Sequence, residues 1–133
     1  MGNSSQRPRV LDVGNCDPDH ASILRLLSRF DVEVDRVMFV EEALKRLNER
    51  RYHLVMVNRL IFADGSDGLP LIKQMKADES LRRIPVMMIS NFADAQDRAV
   101  AAGAVRGFGK ANLDAPATEE ALRPFLYPPR SPV

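Results

Sequence analysis

The chain has 133 residues, 45% of them apolar and 28% charged, with a formal net charge of +1 and one cysteine. A chain of this size and balance forms one globular domain that buries its own core, and the composition excludes an internal disulfide and any run of roughly 18 apolar residues able to span a bilayer. Acids and bases are interspersed, so neither nucleic acid nor a membrane is expected as a partner, and the lone Cys16 fits a reducing, cytoplasmic setting.

Residues 1–8, MGNSSQRP, read as a disordered leader: they lack the apolar stretch of a secretion signal. Gln6 also stands where a myristoylation signal has Ser or Thr. An apolar run, RVLDVG (9–14), predicts the first strand. Helical spacing follows over 18–30, with Ile23, Leu26, Leu27 and Phe30 on one face; Asp17 is the expected N-cap and Pro18 the first helical residue, where a missing N–H is harmless. VEVDRV (32–37) predicts the second strand. Residues 40–50 place Val40, Ala43, Leu44 and Leu47 on one face of a second helix, with Glu41/Lys45 and Glu42/Arg46 as i,i+4 pairs opposite. HLVMV (53–57) is the third strand and ends in a polar amide, Asn58. The following ADGSDG has part of a calcium-loop pattern but lacks the later glutamate that completes one, so it is expected to be a turn. Helices over 68–78 and 93–102 flank the fourth strand, IPVMMI (84–89). AVRGF (104–108) is the fifth strand, and a last helix spans about 117–126, with Thr118 followed by two glutamates in a first turn. Residues 128–133 form a short, Pro-rich extended tail.

This is (βα) repeated five times. Strands three and four are apolar at nearly every position, which requires burial on both faces and therefore a parallel sheet covered above and below by helices. Right-handed crossovers leave few topologies; the expected one is a doubly wound, flavodoxin-like α/β sheet of order 2-1-3-4-5. In such sheets ligands sit beyond the carboxyl ends of the strands. Those ends supply Gly14, Asn15 and Cys16, then Asn58, then Ser90 and Asn91, then Lys110. The set lacks a nucleophile–base pair, since neither His20 nor His53 lies at a strand's carboxyl end. It also lacks a Gly-rich phosphate loop and any zinc-like Cys/His spacing, so no enzyme is expected.

CDPDH after strand one, DGLPLIKQMK opening helix three, IPVMMIS at strand four and AAGAVRGFGKANL around strand five together resemble the receiver domain of two-component response regulators, over roughly residues 8–127. The expected domain is 9–127. The resemblance implies phosphorelay signalling: a histidine kinase passes a phosphoryl group to an aspartate at the end of strand three, an acid pair after strand one helps that aspartate hold Mg²⁺, and a Ser/Thr and a Lys contact the phosphoryl oxygens. By position the acceptor falls on Asn58. The acid pair falls on Asn15 and Cys16, or on Gly14 and Asn15. Ser90 and Lys110 match, with Asn91 and Asp17 beside them; Ala111 replaces the proline that follows the lysine. The aromatic switch position holds Gly107, with Phe108 adjacent, and the loop before Asp67 is about two residues longer than usual.

An amide cannot form an acyl phosphate, and Mg²⁺ wants hard carboxylate oxygens. The expectation is thus an atypical pseudo-receiver with no metal or cofactor, acting as a phosphorylation-independent interaction module. Its face would be helix four, strand five and helix five, with Arg98, Arg106 and Arg123, meeting a signalling protein (a histidine kinase or another regulator) or a second copy of itself. Two alternatives stand beside it: a conventional receiver with a displaced acceptor such as Asp17 or Asp64, and an anion or small-molecule sensor in the emptied pocket. Individual residues stay open as well. Asp17 is a metal ligand or an N-cap; Asp12 is Lys110's partner or a half-exposed strand residue; Cys16 is a redox switch or simply packed. Lys110 joins Ser90 around an anion or hydrogen-bonds Asn58 and loop carbonyls.

Overall fold

The computed structural model describes residues 7–126; most of the expected leader and the tail 128–133 lie outside the described residues. Five strands, β1 (Arg9–Val13), β2 (Glu33–Val37), β3 (Leu54–Asn58), β4 (Val86–Ile89) and β5 (Val105–Phe108), alternate with α1 (Asp17–Leu27), α2 (Val40–Glu49), α3 (Leu69–Ala77), α4 (Ala93–Ala101) and α5 (Pro116–Leu126). The sheet is parallel with order β2-β1-β3-β4-β5, the doubly wound arrangement that the sequence predicts.

Alternation of side chains along the strands divides the core in two. Leu54, Met56, Met87 and Ile89 face a cluster shared with Ile23, Leu26 and Leu27 of α1 and Leu122 and Leu126 of α5. Val55, Val57, Val86 and Met88 face the other, shared with α2, α3 and α4 through Leu47, Leu71, Ile72, Met75, Ala95 and Ala99. All five residues of β3 and all four of β4 are buried, which is why neither strand shows a polar alternation. Fully burying a Leu or Met side chain stabilises the fold by roughly 1.5–3 kcal/mol.

One helix start differs from expectation. Cys16, with an extended backbone, is the N-cap of α1, and Asp17 is already helical; the first i→i+4 bond runs from His20 N to Cys16 O at 2.8 Å. Asp17 therefore contributes charge to the first turn, together with Asp19, and does not cap. At the last helix, Pro116 opens the first turn and Thr118 lies inside, buried, its Oγ1 donating to Asn112 O at 2.7 Å. A 3-10 turn over Lys110–Asn112 leads the chain into this helix, which starts within one residue of the expected position.

The β4–β5 ladder is irregular. Met87 is level with Val105 and Ile89 with Phe108, so β5 carries one extra residue, a bulge that frees a strand N–H and carbonyls from regular pairing. A side chain takes over: Gln96 Oε1 accepts from Gly107 N (2.8 Å), and its Nε2 donates to Met88 O (2.9 Å) and Ser90 O (3.1 Å). Gly107 is required here, because a Cβ would stand 2.2 Å from Met88 O.

Candidate functional site

The deepest charged group lies at the carboxyl end of β1. Asp12 shares a face with Val10, the face turned to α1, and is fully buried. His20 stands on the same stripe of α1 as Ile23 and Leu27, so its ring meets the carboxylate: His20 Nδ1 contacts Asp12 Oδ2. Asn15 Nδ2 donates to the other carboxylate oxygen at 2.5 Å. Asp12 is thus neither half-exposed nor the partner of Lys110. Although His20 is no strand-end residue, the helix carries it to one.

Lys110 finds its partner in the first turn of α1, where Nζ lies 2.6 Å from Asp19 Oδ2. The Cys16 thiol donates to the same oxygen at 3.1 Å. Burial pushes the Asp19 carboxyl up, but the hydrogen bonds from Lys110 and Cys16 and the Lys110 charge outweigh it, leaving the group below its ordinary value. Lys110 also lines the cavity beside Asn58 and Ser90. Asp17 is a surface residue paired with Arg36 at 2.8 Å, its side chain 90% exposed; such a pair contributes little to stability. The Arg36 guanidinium also donates to Asn15 O at 2.9 Å.

Asn58 closes β3. The β1–β3 register brings Gly14 level with it, and Asn58 Nδ2 donates to Gly14 O at 3.2 Å. Beside the amide is a cavity of about 180 Å³, lined by Asn58, Arg59, Ser90, Asn91, Phe92 and Lys110 among others. Ser90 Oγ accepts from Phe92 N at 3.1 Å, and Asn91 Oδ1 from Ala111 N at 3.1 Å, so both side chains hold the loops that carry them. Phe92 is 56% exposed and stacks with the Arg59 guanidinium at 4.9 Å. The long loop after Asn58 is a turn, as its composition predicts: Gly65 N donates to Ile61 O at 2.7 Å, Leu60 and Asp67 bridge its base, and Asp64 folds onto Ser66, accepting from its N (2.9 Å) and Oγ (2.6 Å). Those bonds hold the exposed Asp64 carboxyl below its ordinary value.

A divalent cation of the Mg²⁺ type needs several hard oxygen donors converging in octahedral array. Here Asp12 is committed to His20 and Asn15, and Asp19 to Lys110. Asn15 Oδ1 is the buried side-chain oxygen without a hydrogen-bond partner among the described residues, and it offers one neutral donor. No three His, Cys, Asp or Glu side chains among the described residues converge as a metal cluster. This donor set does not fit the ion.

On α4, β5 and α5, Arg98, Arg106 and Arg123 are exposed. Each carries an acidic neighbour: Asp94 at 3.4 Å, Asp97 at 3.0 Å, and Glu119 and Glu120 both at 3.1 Å. Sequence reasoning did not anticipate His20, Asp19 or Gln96, which tie this end of the sheet together. The signals were parity and periodicity: Asp12 two residues from Val10, and His20 three and seven residues before Ile23 and Leu27.

Comparison with known proteins places the fold. The signal receiver domain of an HD domain-containing protein from Pseudomonas fluorescens Pf-5 superposes with a TM-score of 0.77 at 19% identity, covering 96% of this chain and 92% of that one. The phosphorylated cyanobacterial phytochrome response regulator RcpA gives 0.76 at 20% identity over 96% and 99% of the two chains, and the chemotaxis response regulator CheY4 of Vibrio cholerae 0.68 at 18% over 92% and 98%. No family model and no curated protein sequence matches the chain. The architecture is the receiver fold. Among the described residues, no helix is long and apolar enough to cross a membrane.

Proposed function

We propose that the chain is a receiver-fold signalling module, cytoplasmic and without catalytic activity of its own, that works through protein contacts and without aspartyl phosphorylation. The observation that carries this reading is Asn58, an amide at the end of β3 whose nitrogen donates to Gly14 O. Acyl-phosphate formation needs a carboxylate oxygen in that place and cation support for the transferred group. Of the two cations lining the cavity, Lys110 is already neutralised by Asp19 and the Arg59 guanidinium is stacked on Phe92, which also weakens the case for an anion held there. The displaced-acceptor reading has little support, because Asp64 is folded onto Ser66 in an exposed turn and Asp17 is paired with Arg36. Contact through α4, β5 and α5 remains the proposed route to a signalling partner or a second copy, with Arg98, Arg106 and Arg123 on that face. Gly107 offers no ring to swing between cavity and surface, so regulation would come from the binding event itself.

The test is chemical. Native protein incubated with acetyl phosphate and Mg²⁺ should show one unmodified species by intact mass spectrometry. Asn58→Asp should remain unmodified too, because its new oxygen faces the Gly14 carbonyl and no converging acids accompany it. A phosphoryl adduct on the native chain overturns the proposal.

A further inference from the structure

A larger cavity opens at the opposite, amino-terminal end of the sheet. Its volume is about 480 Å³, inside the roughly 300–1,000 Å³ range of small-molecule sites. The length of β3, roughly 15 Å, separates it from Asn58. The α2–β3 connection contributes Arg50, Arg51 and His53, the α3–β4 connection Leu81 and Arg83, and the last turn of α5 contributes Phe125.

Here two cations are left without a side-chain bond or ring contact to any described residue. Arg50 is engaged by Asp35 at 2.9 Å and Glu33 at 3.8 Å. Asp35 also accepts from Tyr52 Oη at 2.5 Å, and Asp78 is folded onto Ser80 N and Oγ at 2.8 and 2.7 Å. Asp35 and Asp78 are therefore committed, and Glu79, an exposed neighbour of Ser80, does not line the cavity. Arg51 and Arg83 are exposed, and their side chains make no hydrogen bond or ion pair with any described residue. His53 Nδ1 accepts from Arg9 N at 3.1 Å, which leaves Nε2–H as the ring's donor. Two guanidiniums free to grip, a neutral imidazole donor and a floor of Leu81 and Phe125 form a set of complementary chemistry: bidentate donors for an oxyanion, and apolar surface for what is attached to it.

We propose that this cavity binds a small organic phosphate, its phosphomonoester oxygens on Arg51 and Arg83 and its apolar or aromatic body over Phe125 and Leu81. The inference is independent of how Asn58 is read.

The probes are adenosine monophosphate, ribose 5-phosphate and inorganic phosphate, each titrated into the isotopically labelled full chain and followed by NMR. Saturable shifts are expected at Arg51, Arg83, His53 and Phe125, strongest for the nucleotide and weakest for inorganic phosphate, with Asn58, Ser90 and Lys110 unmoved. Arg51→Ala/Arg83→Ala should weaken nucleotide binding by about tenfold or more, as expected for losing charge-assisted hydrogen bonds. Lys73→Ala, which removes an exposed cation on α3, should leave it unchanged. Both arginines are exposed, so the double variant should keep the native spectrum. Shifts confined to the Lys110 end, silence across all three probes, or undiminished affinity in the double variant overturns the proposal; inorganic phosphate binding as tightly as the nucleotide overturns the role given to the apolar floor.

Discussion

The two ends of the sheet treat charge in opposite ways. At the carboxyl end the charged groups near Asn58 are met from within: Asp12 by His20 and Asn15, Lys110 by Asp19, Asp17 by Arg36, while Arg59 rests on the Phe92 ring. At the amino end Asp35 and Asp78 are bonded in the same way, yet Arg51 and Arg83 make no side-chain bond or ring contact with a described residue. The first end is where a doubly wound sheet usually places its ligands, and here its polar side chains are bonded to one another and to the loops that carry them. Under the function proposed above, that polarity serves structure.

If the carboxyl end is structural, breaking it should damage stability most. Asp12→Ala leaves His20 and Asn15 Nδ2 without their buried partner; removing one member of a buried pair destabilises by about 3–5 kcal/mol, to be read from the midpoint of urea unfolding. A loss below about 1 kcal/mol would mean that the contact is incidental and the contrast between the ends is weaker than drawn.

Gln96→Leu keeps the volume but orphans Gly107 N–H, Met88 O and Ser90 O. Leaving such groups unsatisfied costs about 1–3 kcal/mol, and amide exchange at Gly107 should quicken while β1 and β3 stay protected. Uniformly unchanged exchange would show that the bulge is held by the backbone alone.

A smaller effect probes the amino end. Burial raises the Tyr52 phenol, with the Asp35 hydrogen bond adding to it, to about 12 from 10.0. The folded value lies above the unfolded one, so the contribution to stability is complete below about pH 10 and is lost as pH rises through about 12. Ultraviolet titration of a Tyr127→Phe variant, in which Tyr52 is the remaining tyrosine, should show the phenolate forming near the upper value. Ionisation near the ordinary value would mean that this end is wetter and looser than the Asp35 contact implies.

Much of the fold could be read from residue order. Leu54–Val57 and Val86–Ile89 are continuous apolar runs because both faces of those strands are covered, and that feature distinguishes a parallel sheet before any coordinates exist. Asn58, Ser90 and Lys110 were likewise found from their positions at strand ends. Their partners were not. The Lys110–Asp19 pair joins residues brought together by the fold and carried on different elements, and no local pattern encodes it. Helix capping misled because Asp17 is a good cap chemically, whereas the extended backbone at Cys16 decides where the helix begins. Gln96 sits on the buried side of α4 with Ala95 and Ala99; one amide in an alanine-rich face gives no hint that a strand bulge lies opposite it.

Gly14 ties two elements together through its backbone. Its backbone has φ +77°, and a Cβ at that position would stand 2.5 Å from Ile61 Cδ1 and 3.2 Å from Ile61 Cα. Its carbonyl accepts from both Phe62 N, at 2.9 Å, and Asn58 Nδ2. Any side chain at residue 14 thus meets two obstacles at once, a left-handed backbone and the Ile61 side chain, and answering them displaces the loop that follows β3. The end of β1 and the loop after β3 therefore behave as one piece, and a substitution aimed at the first is felt in the second.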